Sequence, residues 1–220
     1  MPRRRYILAT NEIYHVFNRS VAGENIFLSS LNLRKAIEII DYYVYPQELR
    51  LSKYKNLTME LKKSYQDSLK SKTPLIDICA FALMPNHYHF LLRQQKDSGI
   101  KSFISNFQNS FAKYFNTKNN RNGSLFQNPF KAKRVETEEQ LIHISRYIHL
   151  NPVTSYLIKF EELSEYPWTS FRNYCQSRGR MVNHSLIMGI FKSKQKYYKF
   201  VADQVEYQKS LALIKDLVLE

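Results

Sequence analysis

Apolar positions along this chain recur with two different periods, and each change of period marks a new element. Ile13 to Phe17 (Ile-Tyr-His-Val-Phe) is rich in β-branched and aromatic residues and predicts a first strand, with Gly23 and Asn25 in the loop after it. Leu33, Ala36, Ile37, Ile40 and Val44 follow at helical spacing within Leu31 to Tyr45. Residues 46 to 73 change character: Pro46, many lysines, and Leu57, Leu61 and Leu69 at loose helical intervals predict a polar helical insertion between core elements. Leu75 to Met84 predicts a second strand, with Ile76, Ile78, Ala80 and Ala82 on one face. Pro85-Asn86 has the composition of a tight turn and leads straight into His87 to Leu92, so a hairpin is expected.

After Gly99, Ile100, Phe103, Ile104, Phe107, Phe111, Tyr114 and Phe115 trace the apolar stripe of a second core helix, which Asn119 to Gly123 should terminate. Ser124 to Val135 reads as extended structure broken by Pro129. Thr137-Glu138-Glu139-Gln140 has the pattern of a capping box, and its helix is expected to stop at Asn151-Pro152. The order β-α-β-β-α-β followed by a helix predicts an α+β protein with a ferredoxin-like core and an antiparallel sheet. Residues 1–150 would form the main domain, with the helical insertion at about 46–73, and 151–220 a helical C-terminal extension.

Composition narrows the class. The chain has 220 residues, 44% hydrophobic and 14% aromatic, enough for a cored domain instead of a disordered basic tail. Thirty-three Lys and Arg against 19 Asp and Glu give a net charge of +14, which favours a polyanionic partner, with nucleic acid the first candidate. No apolar run of about 18 residues is present to span a membrane. Two distant cysteines, Cys79 and Cys175, suggest reduced thiols and a cytoplasmic protein.

His87-Tyr88-His89 is the densest chemical signal. Residues two apart in a strand share a face, so both imidazoles would point one way and Tyr88 the other. Two neutral imidazoles so placed can chelate a divalent cation; a bare His-x-His equally describes two unrelated surface histidines. Between Arg93 and Arg134 nine Lys or Arg face a single acid, Asp97, a cluster suited to phosphates. Phe126, Phe130, Tyr147 and Trp168 are aromatics for stacking on bases or for filling the core. Tyr114 has the phase of an ordinary core tyrosine, yet near the helix end its hydroxyl is a candidate nucleophile. His15 is expected to pack or to neighbour the histidine pair. His143 and His149 suit solvent or phosphate contact as much as catalysis.

Several stretches resemble the REP-associated tyrosine transposases, a branch of the HUH single-strand transposases with one catalytic tyrosine. They are Tyr14 to Arg19 (Tyr-His-Val-Phe-Asn-Arg), Met84 to Leu92, Lys113 to Asn116, Gly123 to Ala132, Tyr147 to Val153 and Tyr166 to Ser170, in the family's order over about residues 6 to 175. The resemblance implies a protein that binds hairpins of palindromic repeats, cuts one strand nearby through a 5′-phosphotyrosine intermediate and rejoins it. It implies Mg²⁺ or Mn²⁺ held by His87 and His89, with Tyr114 as nucleophile. DNA contacts are expected from Arg3, Arg4, Arg5, Asn18, Arg19, Lys113, Arg121, Lys131, Lys133 and Arg134. In related transposases a polar residue one turn beyond the nucleophile completes the metal shell. Beyond Tyr114 that residue is Lys118, a poor ligand while protonated, which leaves the third ligand unassigned. Two further readings stand beside this one: a domesticated hairpin-DNA binder that no longer cuts, and a metal-dependent nuclease that uses water. Either a monomer or a homodimer is compatible with the resemblance.

Overall fold

The computed structural model describes residues 8–176 and 181–210. Four strands, β1 (Ile13–Arg19), β2 (Ile76–Met84), β3 (His87–Gln94) and β4 (Lys131–Val135), form one antiparallel sheet in the order β2-β3-β1-β4. This is the split βαβ arrangement expected from the element order. Helix α1 (Ser30–Tyr43) connects β1 towards β2, and α4 (Gly99–Lys118) connects β3 to β4. Two short helices, α2 (Leu51–Lys55) and α3 (Met59–Lys70), make up the insertion between α1 and β2.

Helices α1 and α4 pack on one face of the sheet, where Tyr88 and Phe90 of β3 meet Phe103 and Phe107 of α4. On the opposite face lies α5 (Glu138–Thr154), capped as expected by Thr137, whose hydroxyl accepts from the Gln140 N–H. Pro152 does not stop α5, which runs on to Thr154. Pro152 has no N–H to give the carbonyl four residues back, yet the helix continues past it and Ser155 donates to the Asn151 carbonyl at 3.0 Å. Residues 124–130, expected to be extended, join the sheet only through a Ser20–Phe126 bridge.

One expectation about faces is overturned. Ile78 is the partner of Leu92, whereas Ala80 is the partner of Leu91, with a bulge at Cys79 between them. The extra residue shifts the alternation by one. Ile76 and Ile78 therefore face α4, while Ala80 and Ala82 face α5, where their small side chains admit a close helix. The carbonyl of Cys79 accepts a 2.6 Å hydrogen bond from the buried Tyr174 hydroxyl of α6 (Phe171–Gln176).

The segment after α5 covers the outer edge of the sheet. Leu83 N–H donates to the Trp168 carbonyl, Ser170 N–H to the Phe81 carbonyl and Asn183 N–H to the Ile78 carbonyl. An edge strand left open exposes unpaired backbone groups, so these contacts close β2. Helix α8 (Lys194–Ala202) then packs on α5 and α6, and α7 (Ser185–Phe191) packs on α8. His149 of α5, fully buried, ties this layer together: its Nε2 lies 2.6 Å from Ser170 Oγ and its Nδ1 2.7 Å from Tyr197 Oη. It is thus a core group, with neither the solvent nor the phosphate contact considered from sequence.

The start of α4 is fixed by a close approach. A Cβ on Gly99 would lie 2.1 Å from the Leu75 carbonyl oxygen, a backbone atom that cannot swing away. Gly99→Ala is expected to cost about 1–3 kcal/mol through overpacking, seen as a fall in the midpoint of thermal unfolding; an unchanged midpoint would disprove the clash.

Candidate active site

Alternation along β3 sends His87 and His89 to the α5 side of the sheet. Phe17 of β1 is the direct partner of His89, so Phe17 and His15 share that side. The ring centroids of His87 and His89 are 5.1 Å apart with planes at 87°. Nδ1 of His87 sits 2.7 Å from Oδ1 of Asn86, the hairpin-turn residue. Nδ1 of His89 and Nε2 of His15 share a 2.9 Å hydrogen bond. These contacts occupy Nδ1 of both β3 imidazoles and leave Nε2 of each as the nitrogen for another ligand.

Burial keeps the cluster uncharged. It lowers His15 to about 4, helped by Lys133, and His87 to about 4, helped by Arg19. His89 falls well below 6.5, mainly through burial, with the neighbouring His15, His87 and Arg19 adding to the effect. Neutral imidazole is the form that binds a cation. The pair suits a first-row ion such as Mn²⁺ better than Mg²⁺, which prefers oxygen. Among the described residues no group of three or more His, Cys, Asp or Glu is placed to hold a metal ion together, so donors beside the pair would be an amide, a phenol, water or substrate.

The tyrosine at this cluster is Tyr147 of α5. Its ring centroid is 5.6 Å from that of His89 and 6.1 Å from that of His15, edge-on to both. Burial raises its phenol above 10, against a hydrogen bond with Asn151 that acts the other way. Asn151, buried one turn further along α5, donates from Nδ2 to the Tyr147 carbonyl at 2.8 Å.

Tyr114 is not at the cluster, where the nucleophile role implied by the resemblance would need it; it packs as its helical phase predicts. It belongs to α4, on the opposite side of the sheet, where Gln108 of the same helix donates to the Tyr88 hydroxyl at 2.9 Å. The Tyr114 hydroxyl donates instead to Asn32 Oδ1 of α1 at 3.2 Å, an oxygen that also accepts from Lys118 Nζ at 2.8 Å. The physical cause is strand alternation: Tyr88 and the histidines that flank it point to opposite faces, and α4 covers the Tyr88 face.

The basic residues divide in the same way. Lys131 and Lys133 are the β4 partners of Phe17 and His15, both exposed on the imidazole side. Arg19 is exposed opposite His87 at the end of β1. Asn18, by contrast, is buried, with its Nδ2 on the Gln127 carbonyl at 2.8 Å and its Oδ1 accepting from the Arg19 N–H; it braces the loop and is not available to DNA. Arg121 is held by Glu24 at 3.0 Å and by Asn116, and Arg134 pairs with Glu12 at 2.8 Å on the α4 side. Lys113 lies on α4, also across the sheet. Arg3, Arg4 and Arg5 fall outside the described residues.

Sequence reading thus missed Tyr147 as a member of this cluster and left His15 between packing and a place beside the pair, which it occupies. A signal was present: Tyr147 and Asn151 stand one turn apart on a capped helix, the nucleophile-then-polar spacing that Tyr114 and Lys118 satisfy poorly.

Residues 50–151 match the family model for transposase, IS200 like, a stretch that contains the insertion, His87, His89, Tyr114, Tyr147 and Asn151. Among solved structures, the fold is similar to that of the "REP associates tyrosine transposase bound to a REP hairpin", at 14% identity and a TM-score of 0.49, over 84% of this chain and 96% of that chain. No curated protein matches. Among the described residues no helix is long and apolar enough to cross a membrane.

Proposed function

We propose that the protein is a metal-dependent single-strand DNA transposase and endonuclease that binds hairpin DNA and cuts and rejoins one strand through Tyr147. The observation that carries this reading is the approach of Tyr147 to His89 and His15 on one sheet face; His89 and Tyr147 both lie in the stretch that the IS200-like transposase model matches. His87 and His89 would hold Mg²⁺ or Mn²⁺, with Asn151, one turn beyond Tyr147, as a further donor. A cation bound there would polarise the scissile phosphate and favour the phenolate of Tyr147.

Chemistry by this chain's own groups is then limited to positioning and attack. The Tyr147 oxygen forms a bond to phosphorus while the bond from phosphorus to the 3′ oxygen breaks. The freed 3′ oxygen takes up a proton, and the phosphate stays on tyrosine at its 5′ side. One phosphodiester replaces another, so attack by a 3′-hydroxyl reverses the step without any nucleotide cofactor. Arg19, Lys131 and Lys133 line the same face and bind the strand's phosphates. In this reading residues 1–150, with the insertion at about 46–73, form the catalytic domain and 151–220 its extension.

The test is to incubate the protein with single-stranded hairpin DNA and Mn²⁺, denature it and look for a protein–DNA adduct. An adduct is expected. Hairpin binding without an adduct would favour the non-cutting binder, and cleavage without one the water-using nuclease. His87→Ala is expected to abolish the adduct while leaving hairpin affinity within a few-fold; an equal collapse of binding would make the histidines structural.

A further inference from the structure

A cavity of about 900 Å³ opens between α1, α2 and α4, on the side of the sheet away from the imidazoles. Five cations line it, Lys35, Arg50, Lys55, Lys113 and Lys118, and no acidic residue does. Glu38, just outside, restrains two of them: it pairs with Lys35 and with Lys55, each at 2.8 Å. The remaining wall mixes amides and phenols, among them Asn56, Asn106, Asn109 and Tyr114, with hydroxyls and the aliphatic Ile39 and Leu51. The insertion contributes Arg50, Lys55 and Asn56, so without α2 the groove loses one wall.

We propose that this groove is a second nucleic-acid site, holding a single-stranded DNA segment by its phosphates while the opposite face carries the histidine cluster. Shape selects the class of ligand. Proteins that read duplex DNA push a convex helix or ribbon into a groove of the DNA. Here the protein itself is concave, and a basic channel with aromatic and amide walls tracks one flexible strand. Lys35 and Lys118 each hold Nζ 5.9 Å from the Tyr114 ring centroid, which gathers positive charge at the floor of the channel. The tyrosine that sequence placed in catalysis is thus part of a binding wall. The insertion has a function in this arrangement, since it closes a strand-binding channel.

The experiment measures binding of the full chain to an unstructured oligothymidylate of about 12 nucleotides, within the site sizes usual for such grooves, across a salt series. The double variant Arg50→Gln/Lys55→Gln is expected to bind at least about tenfold more weakly, with the slope of log K against log salt reduced by about 1.4, or about 0.7 for each lost phosphate contact. Glu38→Gln releases two lysines and is expected to tighten binding, a gain that misfolding cannot imitate. Equal affinity and slope in all three proteins would overturn the proposal, as would a wild-type protein that binds hairpin DNA but not the oligothymidylate. The site does not depend on the chemistry proposed for Tyr147. Should the hairpin adduct be absent while the oligothymidylate effects appear, the catalytic reading fails alone; the converse result removes only this groove.

Discussion

Tyr147→Phe is expected to leave no covalent adduct on hairpin DNA, and Tyr114→Phe to leave the adduct in place. Removing the phenol oxygen that becomes bonded to phosphorus eliminates the covalent route, so adduct formation should fall by at least about 10³. Phenylalanine keeps the edge-on ring packing against His89 and His15, so the loss reports the hydroxyl and not a collapsed site. Tyr114→Phe removes a single hydrogen bond to Asn32 Oδ1, which still accepts from Lys118 at 2.8 Å. Its adduct yield should stay within about threefold of wild type, since one partly buried hydrogen bond contributes about 1 kcal/mol to stability and nothing to the reacting atoms. Denaturing gel electrophoresis of labelled DNA with both variants reads the result directly. If the outcomes were exchanged, the cluster on α5 would be structural and the active site would lie on the far face.

Stability is expected to fall steeply as pH drops below about 6.5 and to be nearly flat from pH 7 upward. Burial lowers His149 to about 3, and His15 and His87 to about 4, whereas in the unfolded chain each titrates near 6.5. Between those values the unfolded chain takes up protons that the folded chain refuses, so acid favours unfolding. Each such histidine removes about 1.4 kcal/mol of stability per pH unit until its folded-state value is reached. Four of them, counting His89, are comparable over one or two units with the whole stability of a typical domain, about 5–15 kcal/mol. Thermal unfolding followed by circular dichroism from pH 8 to pH 5 checks this. His149→Gln retains hydrogen-bonding groups for Ser170 and Tyr197 but cannot titrate, so its profile should be shallower by one proton. A melting temperature that stays constant down to pH 5 would mean that these rings are accessible to protons in the folded state.

Much of this architecture follows from periodicity. The apolar stripe of α4, the capped start of α5 and the Pro85-Asn86 hairpin are local features, written in residues a few positions apart. His87 and His89 share a face for the same reason, because two-residue alternation is a property of any strand. Ile78 and Ala80 show where that logic fails: a bulge at Cys79 changes which face follows, and no composition signal marks it. Pro152 shows a second failure, since a proline that would break a helix interior is tolerated in its last turn.

By itself the sequence determined the α+β element order, the paired imidazoles and a basic surface suited to nucleic acid, because each rests on local spacing or on simple composition. Only the tertiary structure decided which tyrosine joins them. Tyr114 and Tyr147 both lie on amphipathic helices that pack on the same sheet, and helical phase says only that each faces it. Which side of the sheet a helix covers is set by how its connection crosses between strands far apart in sequence. That crossing puts α5, with Tyr147, over the histidines and α4, with Tyr114, behind them.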